Sequence, residues 1–258
     1  MRIALLVLLI AAPAFAASFS QLSPADGYPN IQFQHLATNA AGQFVAVANS
    51  QVFVGDATSG SVTRVLANER LGFLLEDQTT VTAQGQTHRC DLALLGTRLA
   101  INARGDYVLA SHTTILVGQA TGGEPRKVYE ESNAMMQSVA INDAGQFVVL
   151  TRRGIVTGTV QQASASRVLA EALGSFDPML VVGTDGNWTA EAGAARLGLN
   201  NQGQFVAASE HGIYTGAVNN PTVTRVIENA KTGFRHVRLG ADGTFIAVSS
   251  RNIYRGKI

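Results

Sequence analysis

Val139-Ala140-Ile141-Asn142-Asp143-Ala144-Gly145-Gln146-Phe147-Val148-Val149 decides how this chain is read. Two runs rich in Val and Ile flank Asn-x-x-Gly, which spells strand, tight turn, strand. The Asn side chain caps the turn. The Gly accepts the left-handed conformation that returns the second strand in register.

The stretch recurs along the chain. Its turns span Asn39 to Gly42, Asn102 to Gly105, Asn142 to Gly145, Asn200 to Gly203 and Gly240 to Gly243. Two residues after each glycine stands an aromatic: Phe44, Tyr107, Phe147, Phe205 and Phe245. A third predicted strand follows and ends in Gly55, Gly118, Gly158, Gly216 or Gly256. A fourth opens on Arg64, Lys127, Arg167 or Arg225. Four short antiparallel strands in about forty residues make the unit of a β-propeller blade. The expectation is an all-β protein, a five-bladed β-propeller of four-stranded antiparallel blades.

The last copy stops after three strands. Phe19-Ser20-Gln21-Leu22 precedes the first copy, and Phe33-Gln34-His35-Leu36 matches Phe234-Arg235-His236-Val237. The N-terminal strand is therefore expected to complete the last blade and close the ring, leaving only short sheet edges. The turn glycines are spaced 63, 40, 58 and 40 residues apart. The long gaps hold insertions near 71–96 and 174–195, too short for a blade but long enough for hairpins. Residues 80–87 and 181–188 carry the hairpin pattern.

Asn-x-x-Gly-Gln-aromatic repeats behind a signal peptide resemble the tandem Asn-x-x-Gly repeat proteins found among bacterial exported and surface proteins. The resemblance covers nearly the whole chain after the signal. The tryptophan usual in that family seven residues after the glycine is replaced by Asn49, His112, Arg152, Glu210 and Ser250. The residues shared with the family are turn and core residues, and the resemblance implies no activity.

Residues 1–17 read as a signal peptide: basic Arg2, apolar Ile3 to Ala12, and small-x-small at Ala14-Phe15-Ala16. Residues 18–258 form one propeller domain, exported to the periplasm or outside the cell. No later segment is long and apolar enough to span a membrane. Without Arg2, 18 basic and 18 acidic residues balance, which points away from nucleic acid. Cys90 is the sole cysteine, so no internal disulfide can form. A monomer without cofactor is expected.

Counting four residues back from each turn's first position gives His35, Arg98, Ser138, Arg196 and His236; counting two gives Ala37, Ala100, Ala140, Gly198 and Arg238. By period two these share one strand face. Small residues suit the crowded axis of a propeller. The cations His35, Arg98, Arg196, His236 and Arg238 would gather at one mouth and suit an anionic ligand. The competing reading pairs them with Glu76, Asp77, Asp91 and Glu191 on the insertions.

A glycosidase would need two carboxylates at that mouth, and those positions hold none. His88-x-Cys90 and the pair His35 and His236 lack further ligands for a metal site. The function expected is an exported, non-catalytic binding propeller for an envelope protein or a glycan. A carbohydrate-active enzyme and a purely structural module are the alternatives.

Overall fold

The structure is a computed structural model. It describes residues 33–48, 51–67, 78–83, 86–91, 98–111, 113–132, 134–171, 173, 180–182, 188–190, 196–209, 211–228, 234–249 and 251–258. Every element described is a strand. Sheet one is β1 (Phe33–Thr38), β2 (Gln43–Ala48), β3 (Gln51–Asp56) and β4 (Ser61–Leu66). Hairpin β5 (Gln78–Ala83) and β6 (Gln86–Asp91) follows. Sheet two is β7 (Arg98–Ile101), β8 (Asp106–Ala110), β9 (Thr114–Gln119) and β10 (Arg126–Glu130).

Sheet three is β11 (Met136–Ile141), β12 (Gln146–Thr151), β13 (Gly154–Thr159) and β14 (Ser164–Leu169). Hairpin β15 (Leu180–Val182) and β16 (Trp188–Ala190) leads to sheet four: β17 (Leu197–Leu199), β18 (Gln204–Ala208), β19 (Gly212–Ala217) and β20 (Asn220–Glu228). Sheet five has three strands, β21 (Phe234–Leu239), β22 (Thr244–Ser249) and β23 (Ile253–Lys257). All pairing is antiparallel between consecutive strands. This is an all-β, propeller-like series of five sheets, with both expected hairpins present. The signal peptide and the closing strand lie outside the described residues.

Each turn folds as its residues dictate. In sheet three, Asn142 Oδ1 accepts the Gln146 backbone N–H at 3.0 Å, and Gly145 sits at φ 75°. The aromatic after the turn lies directly across from the third-strand glycine: Phe44 with Gly55, Tyr107 with Gly118, Phe147 with Gly158, Phe205 with Gly216 and Phe245 with Gly256. A Cβ at any of those glycines would collide with the ring that covers it. The repeat thus pairs a large residue with an absent one, which keeps the sheet thin where the ring lies flat.

Four seams join the five sheets, each with its own core. Val45, Val47, Val52 and Val54 of sheet one pack with Tyr107, Leu109 and Leu116 of sheet two. Val108, Ile115 and Val117 pack with Met136, Phe147 and Val149. Val148, Leu150 and Ile155 pack with Leu197, Phe205 and Tyr214. Val206, Ala208 and Ile213 pack with Phe234, Val237 and Phe245. Burying side chains of this size stabilises by roughly 1.5–3 kcal/mol each, so the seams hold most of the apolar core.

Candidate functional site

The turn asparagines do more than shape their own turns. Asn39 Nδ2 donates to the Asn102 carbonyl at 3.0 Å, Asn102 Nδ2 to that of Asn142 at 2.9 Å, and Asn142 Nδ2 to that of Asn200 at 3.0 Å. These bonds link sheet to sheet at the turn end of the inner strands. Gly240 replaces asparagine in the fifth turn, where Asp242 Oδ1 accepts the Thr244 N–H instead, at 3.0 Å. Asp106, the buried carboxylate at this end, accepts from Asn102 (2.9 Å), Arg104 (2.6 Å) and Gln161 (3.2 Å), and is also bonded to Gln119. Its acceptor capacity is taken up structurally.

On the outer strands, acids four residues past one sheet's basic residue latch onto the next sheet. Glu131 binds Arg167, and Glu171 binds Arg225. Tyr129 donates to Glu131 at 2.9 Å, and Tyr214 to Glu171 at 3.1 Å. Burial alone would raise the Glu131 carboxyl, but hydrogen bonds from Arg167 and Tyr129, with the Arg167 charge, hold it below the usual range. Sequence reading missed these latches. Their signal was the spacing Lys127-x-x-x-Glu131 and Arg167-x-x-x-Glu171.

The five expected site cations fall into two groups. Arg98 is half-buried, and its Nε donates to the Gln137 carbonyl of sheet three at 2.8 Å. Burial pulls its pKa below the ordinary arginine value. Arg196 is also half-buried, and its carbonyl accepts the Ala208 N–H at 2.8 Å. His35 is half-buried on β1, across from Val47. By contrast His236 and Arg238 on β21 are exposed.

The strand face carrying these positions turns toward the next sheet. A Cβ on Gly198 would stand 2.8 Å from Leu239 Cβ of sheet five, and Ala140 packs against the core shared with sheet four. Small residues there permit close approach of neighbouring inner strands. Glu76, Asp77 and Glu191, and the side chain of Asp91, lie outside the described residues, as do His112 and the side chains of His88 and Cys90.

On sheet five this face meets no described neighbour. Its rows are Arg238, Ile246 and Arg255, then His236, Val248 and Ile253. Ile253 is 75% exposed and Ile246 41%, whereas Val52, Ile115, Ile155 and Ile213, at the place of Ile253, are all 0%. At the opposite end of the series, Leu36 of sheet one is 67% exposed. Arg238 and Arg255 make no ion pair or side-chain hydrogen bond among the described residues. Such a surface can hold an anion and apolar matter together. Among the described residues no group of three or more His, Cys, Asp or Glu could hold a metal ion, and no helix is long and apolar enough to cross a membrane.

No family model matches the chain, and no curated protein matches it. Solved structures do resemble it. The computationally designed Ika8 protein aligns at TM-score 0.50 and 13% identity, over 88% of this chain and 57% of that one. YCF48 bound to D1 peptide aligns at TM-score 0.47 and 11% identity, over 88% and 65%. A structure of a nidogen/laminin complex aligns at 0.46 and 10%, over 87% and 75%. At 13% identity the likeness to the designed Ika8 protein is one of fold alone.

Proposed function

We propose that this is an exported, non-catalytic binding protein whose five sheets close into a ring and hold an anionic ligand at the end of the inner strands. The observation that carries the reading is the exposure of His236 and Arg238 on β21, on the face that in the other four sheets is packed. Arg98, tied to Gln137, supports the neighbouring inner strands. A carboxylate or acidic sugar, free or borne on an envelope glycan or protein, has the charge for this surface.

Two observations support closure. Leu36 stands where Leu99, Val139, Leu197 and Val237 pack against the preceding sheet, and its exposure leaves it open to the same kind of packing. In addition, the fourth strands share a pattern: Ser61-Val62-Thr63-Arg64-Val65, Ser164-Ala165-Ser166-Arg167-Val168 and Thr222-Val223-Thr224-Arg225-Val226. Ser18-Phe19-Ser20-Gln21-Leu22 repeats it with a long polar residue in place of arginine. Ten residues then separate Leu22 from β1, where five join β10 to β11. The segment therefore has the composition and the reach to serve as the fourth strand of sheet five.

The test is thermal unfolding with galacturonate, a neutral hexose and small carboxylates, on the wild-type protein and on His236→Ala with Arg238→Ala. A ligand that binds only the folded state raises Tm by mass action. The expected result is a rise with acidic ligands alone, lost in the variant. An unchanged Tm with every acidic ligand contradicts the proposal.

A further inference from the structure

We infer that the fifth seam is an oxyanion site, in which Arg238 and Arg255 clamp one sulfate, phosphate or carboxylate group between sheet five and sheet one. This rests on the ring closure proposed above. The place of Arg238 holds Ala37, Ala100, Ala140 and Gly198 in the other sheets; that of Arg255 holds Val54, Val117, Thr157 and Thr215. Both substitutions put a guanidinium where every other seam has a small or β-branched residue. They fall in one cross-strand row, flanking Ile246 on the same face. Adjacent strands lie about 4.8 Å apart, so the two arginine side chains, one on each side of Ile246, are long enough to grip one group over β22.

Closing this seam as the others close would bury Ile246 and Ile253 against Leu36 and carry both guanidiniums with them. The opposing face of sheet one carries Leu36, Thr38, Phe44 and the buried Ala46 and Phe53, with Arg64 across from Phe53; its described residues include no acid. The nearest acid on sheet five, Asp242, already accepts the Thr244 N–H at 3.0 Å and the Thr244 hydroxyl at 2.8 Å. Lys257 adds positive charge to the same face. With no counter-charge among the described residues of the two faces, these cations oppose closure of an apolar seam. An oxyanion satisfies both forks and removes the repulsion. The seam then differs from its four counterparts by needing a ligand to seal.

The test joins the two sides of the seam. Leu36→Cys and Ile246→Cys are introduced into the full chain with Cys90→Ser, and the rate of coupling by a short thiol cross-linker is followed. Sulfate at millimolar concentration is compared with chloride at matched ionic strength. Sulfate at ten times its dissociation constant is expected to raise the rate about tenfold, and Arg255→Val is expected to couple fast in either salt. Equal rates in sulfate and chloride, with coupling still occurring, overturn the anion site and leave the ring standing. No coupling in any condition overturns the ring and this inference with it. The parallel measurement is Tm. The wild-type protein is expected to rise in millimolar sulfate, whereas Arg238→Ala with Arg255→Val is expected to start higher and not respond. A variant that starts no higher and responds as the wild type does also overturns the site.

Discussion

Ile213 and Ile253 occupy the same place in consecutive sheets, ten residues after the turn glycine, yet one is fully buried and the other is 75% exposed. Around Ile213 the face carries Val206, Ala208, the small Gly198 and Thr215, with half-buried Arg196 at the place of His236. Around Ile253 the face carries His236, Arg238 and Arg255. The repeat that builds a strand is the same in both. What differs is that the fifth face ends the described series and bears Arg238 and Arg255 where the fourth has Gly198 and Thr215.

The strongest way to break the comparison is to move the charge. Thr215→Arg places the fifth sheet's residue in the fourth seam, where it would be buried with no acid among the described residues of the two packed faces. The expected loss is about 3–5 kcal/mol, whereas Ile253→Arg is expected to change stability by about 0.5 kcal/mol or less. Urea unfolding of both variants measures the difference, and equal losses would show that the two faces are equivalent.

Asn142→Ala is expected to cost about 1–2 kcal/mol, because it removes a turn cap and the bond to the Asn200 carbonyl together. Gly240 makes neither bond, so Gly240→Ala should cost less. Similar losses at the two turns would mean that the inter-sheet amide contributes nothing.

Tyr107→Phe sharpens the comparison from inside a packed seam. The Tyr107 hydroxyl is buried with no hydrogen-bond partner among the described residues, and burial pushes its pKa up. Phenylalanine fills this place in the other four sheets. The variant is expected to gain about 1 kcal/mol, read as a higher Tm; a lower Tm would show that the hydroxyl is satisfied.

The smallest effect concerns the outer latch. The Glu131 carboxyl is held below its usual range, so its contribution is present above the unfolded-state pKa of about 4.3 and is lost as pH falls through the lower folded value. Glu131→Gln is expected to cost about 0.5–1 kcal/mol at pH 7. By pH 3 that cost should shrink as the wild-type carboxyl becomes protonated. A cost that does not change with pH would assign the latch to packing.

Much of this architecture was legible beforehand. Gly145 and its counterparts set the turns, Phe147 and Gly158 set the cross-strand register, and the long spacings announced β5–β6 and β15–β16. The site was less legible. Period two tells which residues share a face, but not which neighbour that face meets. His35, Arg98 and Arg196 therefore read as lining a mouth, while Arg98 in fact reaches across a seam to Gln137. Arg238 was visible as the odd member of a series of small residues. Arg255 was not, because its significance depends on the cross-strand row it shares with Ile246. The latches of Glu131 and Glu171 depend on how adjacent sheets splay, which no local pattern specifies.

The central claim is that one repeat position is dry in four sheets and wet in the fifth. Its most direct test is thiol labelling of Ile213→Cys and Ile253→Cys, each in a Cys90→Ser background, under native conditions in chloride. The account predicts rapid labelling at position 253, and labelling at position 213 only as fast as the protein opens. Equal rates at the two positions would contradict it.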